Sequence, residues 1–202
     1  MRNFHELCAA RYSLREFADQ PVERDKVVQC LEAARLAPSA SNGQPWRFVV
    51  FDDPMKKQQL CDQVFTGIHS YSRGFARAPV IVALLVKTGS VISRIGNALQ
   101  DTRFQLIDAG IAGEHFVLQA QELGLGTCWI GWYNPGALVK FLNLKGKGYT
   151  PVCLIALGYP PDRPSSTIKP KHRRELNEIA GWNELPQTRA KAEPVPGADS
   201  EF

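Results

Sequence analysis

No apolar run in the chain approaches the ~18–20 residues that a membrane-spanning helix needs. Met1–Asn3 leads straight into a helical pattern, so a cytoplasmic protein with no membrane partner is expected. Cysteine is scarce. The five residues, Cys8, Cys30, Cys61, Cys128 and Cys153, are odd in number, widely spaced and free of any CxxC, which argues for reduced, mostly buried thiols and against a disulfide framework or zinc site. The four histidines, His5, His69, His115 and His172, show neither HExxH nor paired spacing, so no metal is expected. GxGxxG, GxxxxGK(S/T) and GxSxG are all absent, which weakens dinucleotide-fold, P-loop and hydrolase readings. Nor does any spacing of aspartate and glutamate single out an acid–base pair. With no obvious acid, base or nucleophile, the chemistry is expected to belong to a bound cofactor, with no side chain catalytic in its own right.

What is present describes a globular enzyme-sized chain. At 202 residues, 44% hydrophobic and 22% charged, it has the composition of a single domain with a sizeable core. The net charge of +4 suits an anionic ligand and does not demand nucleic acid. The basic residues are not interleaved with aromatics, as a single-strand binding groove would require.

Punctuation and periodicity divide the chain. Asn3 and Glu6 form a capping-box pattern for a helix to about Ala10. In the following RYSLR, Arg11, Ser13 and Arg15 share one side if the segment is extended, and Arg11 and Arg15 share a face if it is helical. Two guanidinium groups and a hydroxyl are good phosphate chemistry, and a solvated basic turn is the plain alternative. Val27, Leu31 and Ala34 mark a second helix, stopped at Pro38. A polar loop from Ser39 to Gln44 then leads into an apolar strand, Trp46–Phe51; it reads as an ordinary connection or as a seat for a flat polar ligand. Asp53-Pro54 starts a third helix, ended by Gly67, and Ile68–Ala78 is expected to loop. Pro79–Val86 is the clearest central strand. Thr88–Asp101 lacks a period and is expected to be a mobile excursion. A long helix follows from Thr102 to Leu123, stopped at Gly124-Leu125-Gly126. It contains Ala109-Gly110 and Ala112-Gly113, small residues that suit close approach of a partner helix or of packing within the same subunit. Thr127–Ile130 and Pro151–Leu157 are further strands. Asn134 caps a brief helix between them, and a short helix is expected near Arg174–Ala180. Helices and buried apolar strands intermix, so these elements predict α/β or α+β with a mixed sheet covered on both faces.

Five motifs in order, RYSLREF, LEAARLAPSASNGQPWRFVVF, GLGTCWIG, ALGYP and KPKHRREL, resemble the FMN-dependent nitroreductase family, closest to its short members. The resemblance spans Phe4 to Trp182. It implies an α+β, α/β-like three-layer fold with a mixed, mainly antiparallel central sheet flanked by helices, a single FMN-binding domain over 1–182, and a homodimer with FMN at the subunit interface. Residues 183–202, polar from Pro186 onward with Pro194, Pro196 and Gly197, are expected to be a disordered tail. By position, Arg11 and Ser13, with Tyr12 between them, would hold the phosphate and ribityl chain, and Arg15 would sit by the pyrimidine edge of the flavin. Pro38, Ser39, Ala40 and Asn42 would come from the other subunit, with Gln44 nearby. Trp129, Ile130 and Gly131 would lie along the flavin, and Lys171 and Arg173 would close on the phosphate. The implied reaction passes electrons from NADH or NADPH through FMN to an electron-poor acceptor, a nitroaromatic, quinone or similar molecule, in a ping-pong sequence. The same fold also serves reductive dehalogenases and flavin-consuming enzymes, and a non-catalytic flavin-binding protein is a further alternative. The chain departs from the family in two places. Glu175 stands where relatives often have proline, and the mid-chain Asn or Lys that touches the flavin has only Ser72 and Arg73 as candidates.

Overall fold

The computed structural model describes residues 3–88, 103–162 and 171–186. The chain divides into two compact units, Met1–Ser165 and Ser166–Phe202. The first unit is an α+β assembly around a four-stranded sheet of order β1-β2-β4-β3, where β1 is Trp46–Phe51, β2 Val80–Lys87, β3 Gly126–Ile130 and β4 Tyr149–Gly158. Each neighbouring pair of strands is antiparallel. A parallel component exists as a bridge between Ser13 and Thr127 on the open edge of β3.

Alternation along the strands divides the core between two faces. Val80, Val82, Leu84 and Val86 of β2 join one cluster, and Ile81, Ala83 and Leu85 join the other. A strand apolar on both sides must be covered on both sides, which explains why β2 reads as a continuous run. On the first face lie α2 (Arg24–Arg35) and α4 (Phe104–Glu122), contributing Cys30, Ala34, Ala109, Ala112 and Phe116. On the second lie α3 (Pro54–Val64) and α5 (Pro135–Phe141), contributing Leu60, Val64 and Leu138. The register of β2 with β4 shifts between Leu84 and Leu85, where Pro151 enters β4. Pro151 lies beyond the part of β4 that pairs with β3, so its missing N–H leaves no gap in that ladder.

Helix starts follow their caps. Asn3 accepts the Glu6 N–H at 2.9 Å ahead of α1 (Phe4–Ala10), Asp53 accepts Lys56 N–H at 2.8 Å, and Asn134 accepts Ala137 N–H at 3.0 Å. The segment Ile68–Ala78, expected to loop, lies instead almost wholly in a 3-10 helix, Gly67–Arg77. Its inward positions, His69, Ser72 and Phe75, recur every third residue, a period that neither a 3.6-residue nor a two-residue template detects. In the second unit, residues 171–175 have no regular secondary structure and lead into a short helix, α6 (Leu176–Ile179), within the expected 174–180. Apart from Thr88, the excursion Thr88–Asp101 lies outside the described residues, as does the tail beyond residue 186.

Candidate functional site

The N-terminal segment after α1 takes the extended alternative. Leu14 N–H donates to Thr127 O at 2.8 Å and Ser13 bridges Thr127, so residues 13–14 add to the free edge of β3. Leu14 is buried, and Arg15 on the opposite side is exposed. Two motif glycines have their explanation in this docking. A Cβ on Gly126 would sit 2.3 Å from Leu14 Cδ2, and one on Gly158 would meet Pro79 Cδ at 2.6 Å and Phe17 Cδ1 at 2.9 Å. Ala18 N–H closes the segment by donating to Tyr159 O at 2.9 Å. GLGTCWIG and ALGYP are thus bare at the positions where the Leu14–Phe17 segment lies against them.

The segment and β3 share an electrostatic neighbourhood. Burial pushes the Cys128 thiol up, opposed by the Arg15 charge, a Ser13 hydrogen bond and the Arg11 charge. Arg11, Ser13 and Arg15 therefore gather beside the same strand that carries Trp129 and Ile130 and runs on into Gly131. RYSLR contains no acidic residue, but α4 brings Glu114 within range of Arg11; desolvation raises the Glu114 carboxyl, and Arg11 and His115 oppose it. Tyr12 is half-buried, and desolvation raises its phenol.

Arg15 also lines a cavity of about 590 Å³ with Glu16, Phe17, Arg73, Gly74, Arg77 and Pro161. Three guanidinium groups on its wall make it a basic concavity within the size range of small-ligand sites. Arg73 and Arg77 come from the 3-10 helix. That helix is fixed by Ser72, whose buried hydroxyl donates to Trp132 O at 2.6 Å, and by Trp132 Nε1 donating to Ile68 O at 2.8 Å. Arg73 is one of the two sequence candidates for the mid-chain contact. Arg77 carries no such signal, because the three-residue period of the helix that brings it to Arg15 matches neither the α-helix nor the strand template.

The loop after α2 is a single 3-10 turn, Ala40–Asn42, flanked by Pro38, Ser39 and Gln44. Gln44 N–H donates to Ser39 Oγ at 3.0 Å and Gln44 Nε2 to Asn42 Oδ1 at 2.9 Å, while Ala40 N–H reaches the buried Asp108 of α4 at 3.0 Å. Nothing local in the sequence marks Asp108, because its partner is 68 positions away. Trp129 of β3 packs on α4, where a Cβ on Gly113 would lie 2.2 Å from its Cη2. Gly131 is exposed at the end of β3. Lys171 and Arg173 belong to the second unit, where both are exposed and Arg173 Nη1 donates to His172 O at 3.0 Å.

Comparison with known proteins matches this arrangement to one family. A family model described as the Nitroreductase family covers residues 8–159. An FMN reductase (NAD(P)H) of Bacillus subtilis is 30% identical over 174 residues, covering 81% of this chain and 67% of its own. A crystal structure of a nitroreductase family protein from Clostridium difficile superposes with a TM-score of 0.71 at 26% identity, covering 91% of this chain and 100% of that one. A structure from Exiguobacterium sibiricum, solved in complex with FMN, has a TM-score of 0.74 at 22% identity over 90% of this chain and 98% of that one, a likeness of fold.

Proposed function

The chain belongs to the Nitroreductase family, and on that premise we propose that it is an FMN-dependent oxidoreductase. FMN would accept electrons from NADH or NADPH and hand them to an electron-poor small molecule such as a nitroaromatic or quinone. The observation that carries this reading is the Arg11–Arg15 segment laid along β3, with Arg15, Arg73 and Arg77 around one basic cavity.

That donor set fits a ligand with a terminal phosphate and an electron-poor ring. Arg11 and Ser13 suit the phosphate and ribityl chain, because guanidinium groups form planar bonds to phosphate oxygens. Lys171 and Arg173, exposed in the second unit, are further cations of the kind a phosphate takes. Arg15 supplies a fixed cation where negative charge builds up on the pyrimidine half during reduction, and stabilising that charge favours the reduced form. Trp129 would flank the ring system, Ile130, whose side chain is buried in the core of the second face, could meet it only through its backbone, and exposed Gly131 leaves backbone accessible at its edge. Pro38, Ser39, Ala40, Asn42 and Gln44 would close the site from a second copy of the chain.

A homodimer would fit the same reading. Phe4, Val28, Leu36, Leu106 and Ile107 are exposed apolar residues on or beside α1, α2 and α4, and Gly110 of α4 has open space around it. Such a surface suits burial against a second copy. The test is the cofactor itself. Protein purified without added flavin and then heated should release FMN, identified by chromatography against FAD and riboflavin. Colourless protein that also fails to take up added FMN would contradict the proposal.

A further inference from the structure

Asp108 is a carboxylate on α4 with only 6% of its surface exposed. A buried carboxylate needs hydrogen-bond donors, since removing one from water unpaired is strongly unfavourable. Its Oδ1 accepts the backbone N–H of Ala40 at 3.0 Å. Ala40 opens a loop whose backbone is strained: Ser41, Asn42 and Gln44 have φ of 51°, 53° and 41°, left-handed values that side chains other than glycine adopt rarely. Conformations of this kind persist only where the surroundings over-determine them. The bonds from Gln44 to Ser39 and Asn42, and from Gly43 N–H to Ala40 O at 2.9 Å, set the shape of the loop but move with it. The Asp108 bond is of another kind, because it ties the loop to a helix. The same helix carries Gly113, on which Trp129 packs.

We infer that Asp108 is a positioning residue for the flavin site: it anchors the Ala40 end of the loop to α4, so that Pro38–Gln44 meet the flavin ring in one conformation. The inference rests on the flavin reading above. Its chemistry is that of a fixed acceptor, not of a group that touches ligand.

Two substitutions separate acceptor from charge. Asp108→Asn keeps an oxygen acceptor and removes the charge; Asp108→Leu keeps similar bulk and removes the acceptor. A third, Ala40→Pro, removes the donor and leaves α4 intact, and proline is well suited to the first position of a helical turn. In FMN-free protein, amide hydrogen exchange at Ala40 should be slow in wild type and Asp108→Asn and fast in Asp108→Leu. In FMN titrations, Asp108→Asn should bind like wild type, while Asp108→Leu and Ala40→Pro should bind about tenfold more weakly, the scale of one lost hydrogen bond. The visible circular dichroism of flavin bound to these two should also change, because the ring would meet a displaced wall. Folded Asp108→Leu with wild-type affinity and dichroism overturns the inference. If that variant fails to fold, Ala40→Pro with wild-type affinity and dichroism overturns it instead. Wild-type protein that takes up no FMN overturns the flavin reading, and this role with it, whatever the exchange at Ala40 shows.

Discussion

Arg11 and Arg15 lie on one short segment but have different surroundings, and they should fail differently. Arg11 is half-buried with Glu114 in range, and Arg15 is exposed at the basic cavity. If Arg11 meets the phosphate, Arg11→Ala should weaken FMN binding by ~1.5–3 kcal/mol, about ten- to a hundredfold. If Arg15 faces the pyrimidine edge, Arg15→Ala should lower the flavin reduction potential and slow reduction even when FMN is saturating. For a two-electron couple ~30 mV corresponds to ~1.4 kcal/mol, within reach of dye equilibration. Equal affinity, potential and reduction rate across wild type and both variants would leave two solvated arginines on a surface turn. The cysteines give a second test at this scale. Burial pushes Cys30 and Cys153 up to about 12 and Cys61 up to about 11, so all three stay protonated thiols well above neutral pH. Cys128 is also buried, and Cys8 is exposed. Thiol titration of native protein at mildly alkaline pH should find no more than one fast-reacting group, and all five after denaturation. Two or more fast thiols in the native protein would show that the core is not closed as described.

Among the elements, α4 carries the most conditions, because it packs on α2, seats Trp129 and holds Asp108. Its two glycines separate those duties. Gly113 faces Trp129 at a distance that admits no Cβ, so Gly113→Ala should displace the indole and cost ~1–3 kcal/mol in thermal or denaturant unfolding. Gly110 has nothing within 4 Å of a Cβ in the single chain, so Gly110→Arg should leave the fold intact. If a partner helix packs there, the same variant should split the dimer, which sedimentation would detect; an unchanged dimer would move the seam elsewhere. Which parts of such elements are legible in the sequence follows from the range of the interactions that make them. Asn3, Asp53 and Asn134 can be read as caps because each acts three residues away, and β2 is readable as a buried strand from its own composition. The 3-10 helix Gly67–Arg77 is not, because its period of three lies between those of strand and α-helix. The docking of Leu14 against Gly126, and of Asp108 against Ala40, joins residues too distant in sequence for any local pattern to register. The glycines of GLGTCWIG and ALGYP stand out in the sequence, and only the folded chain shows what they make room for.

At the scale of the whole molecule, the first unit is expected to hold flavin only in company with a second copy. The Arg11–Arg15 segment and the Pro38–Gln44 loop would serve different flavins, so a lone chain would own half of each site. Light scattering should therefore find FMN-loaded protein as a dimer at all concentrations that retain flavin, and a folded, FMN-loaded monomer would contradict that arrangement. The central claim is that this chain moves electrons through bound FMN. The most direct measurement is the visible absorbance of purified protein under anaerobic conditions, before and after NADH or NADPH and again after a quinone or nitroaromatic. The oxidised flavin bands should bleach with the nucleotide and return with the acceptor. Flavin bands that stay unchanged under both nucleotides, in protein shown to be loaded with FMN, would contradict it.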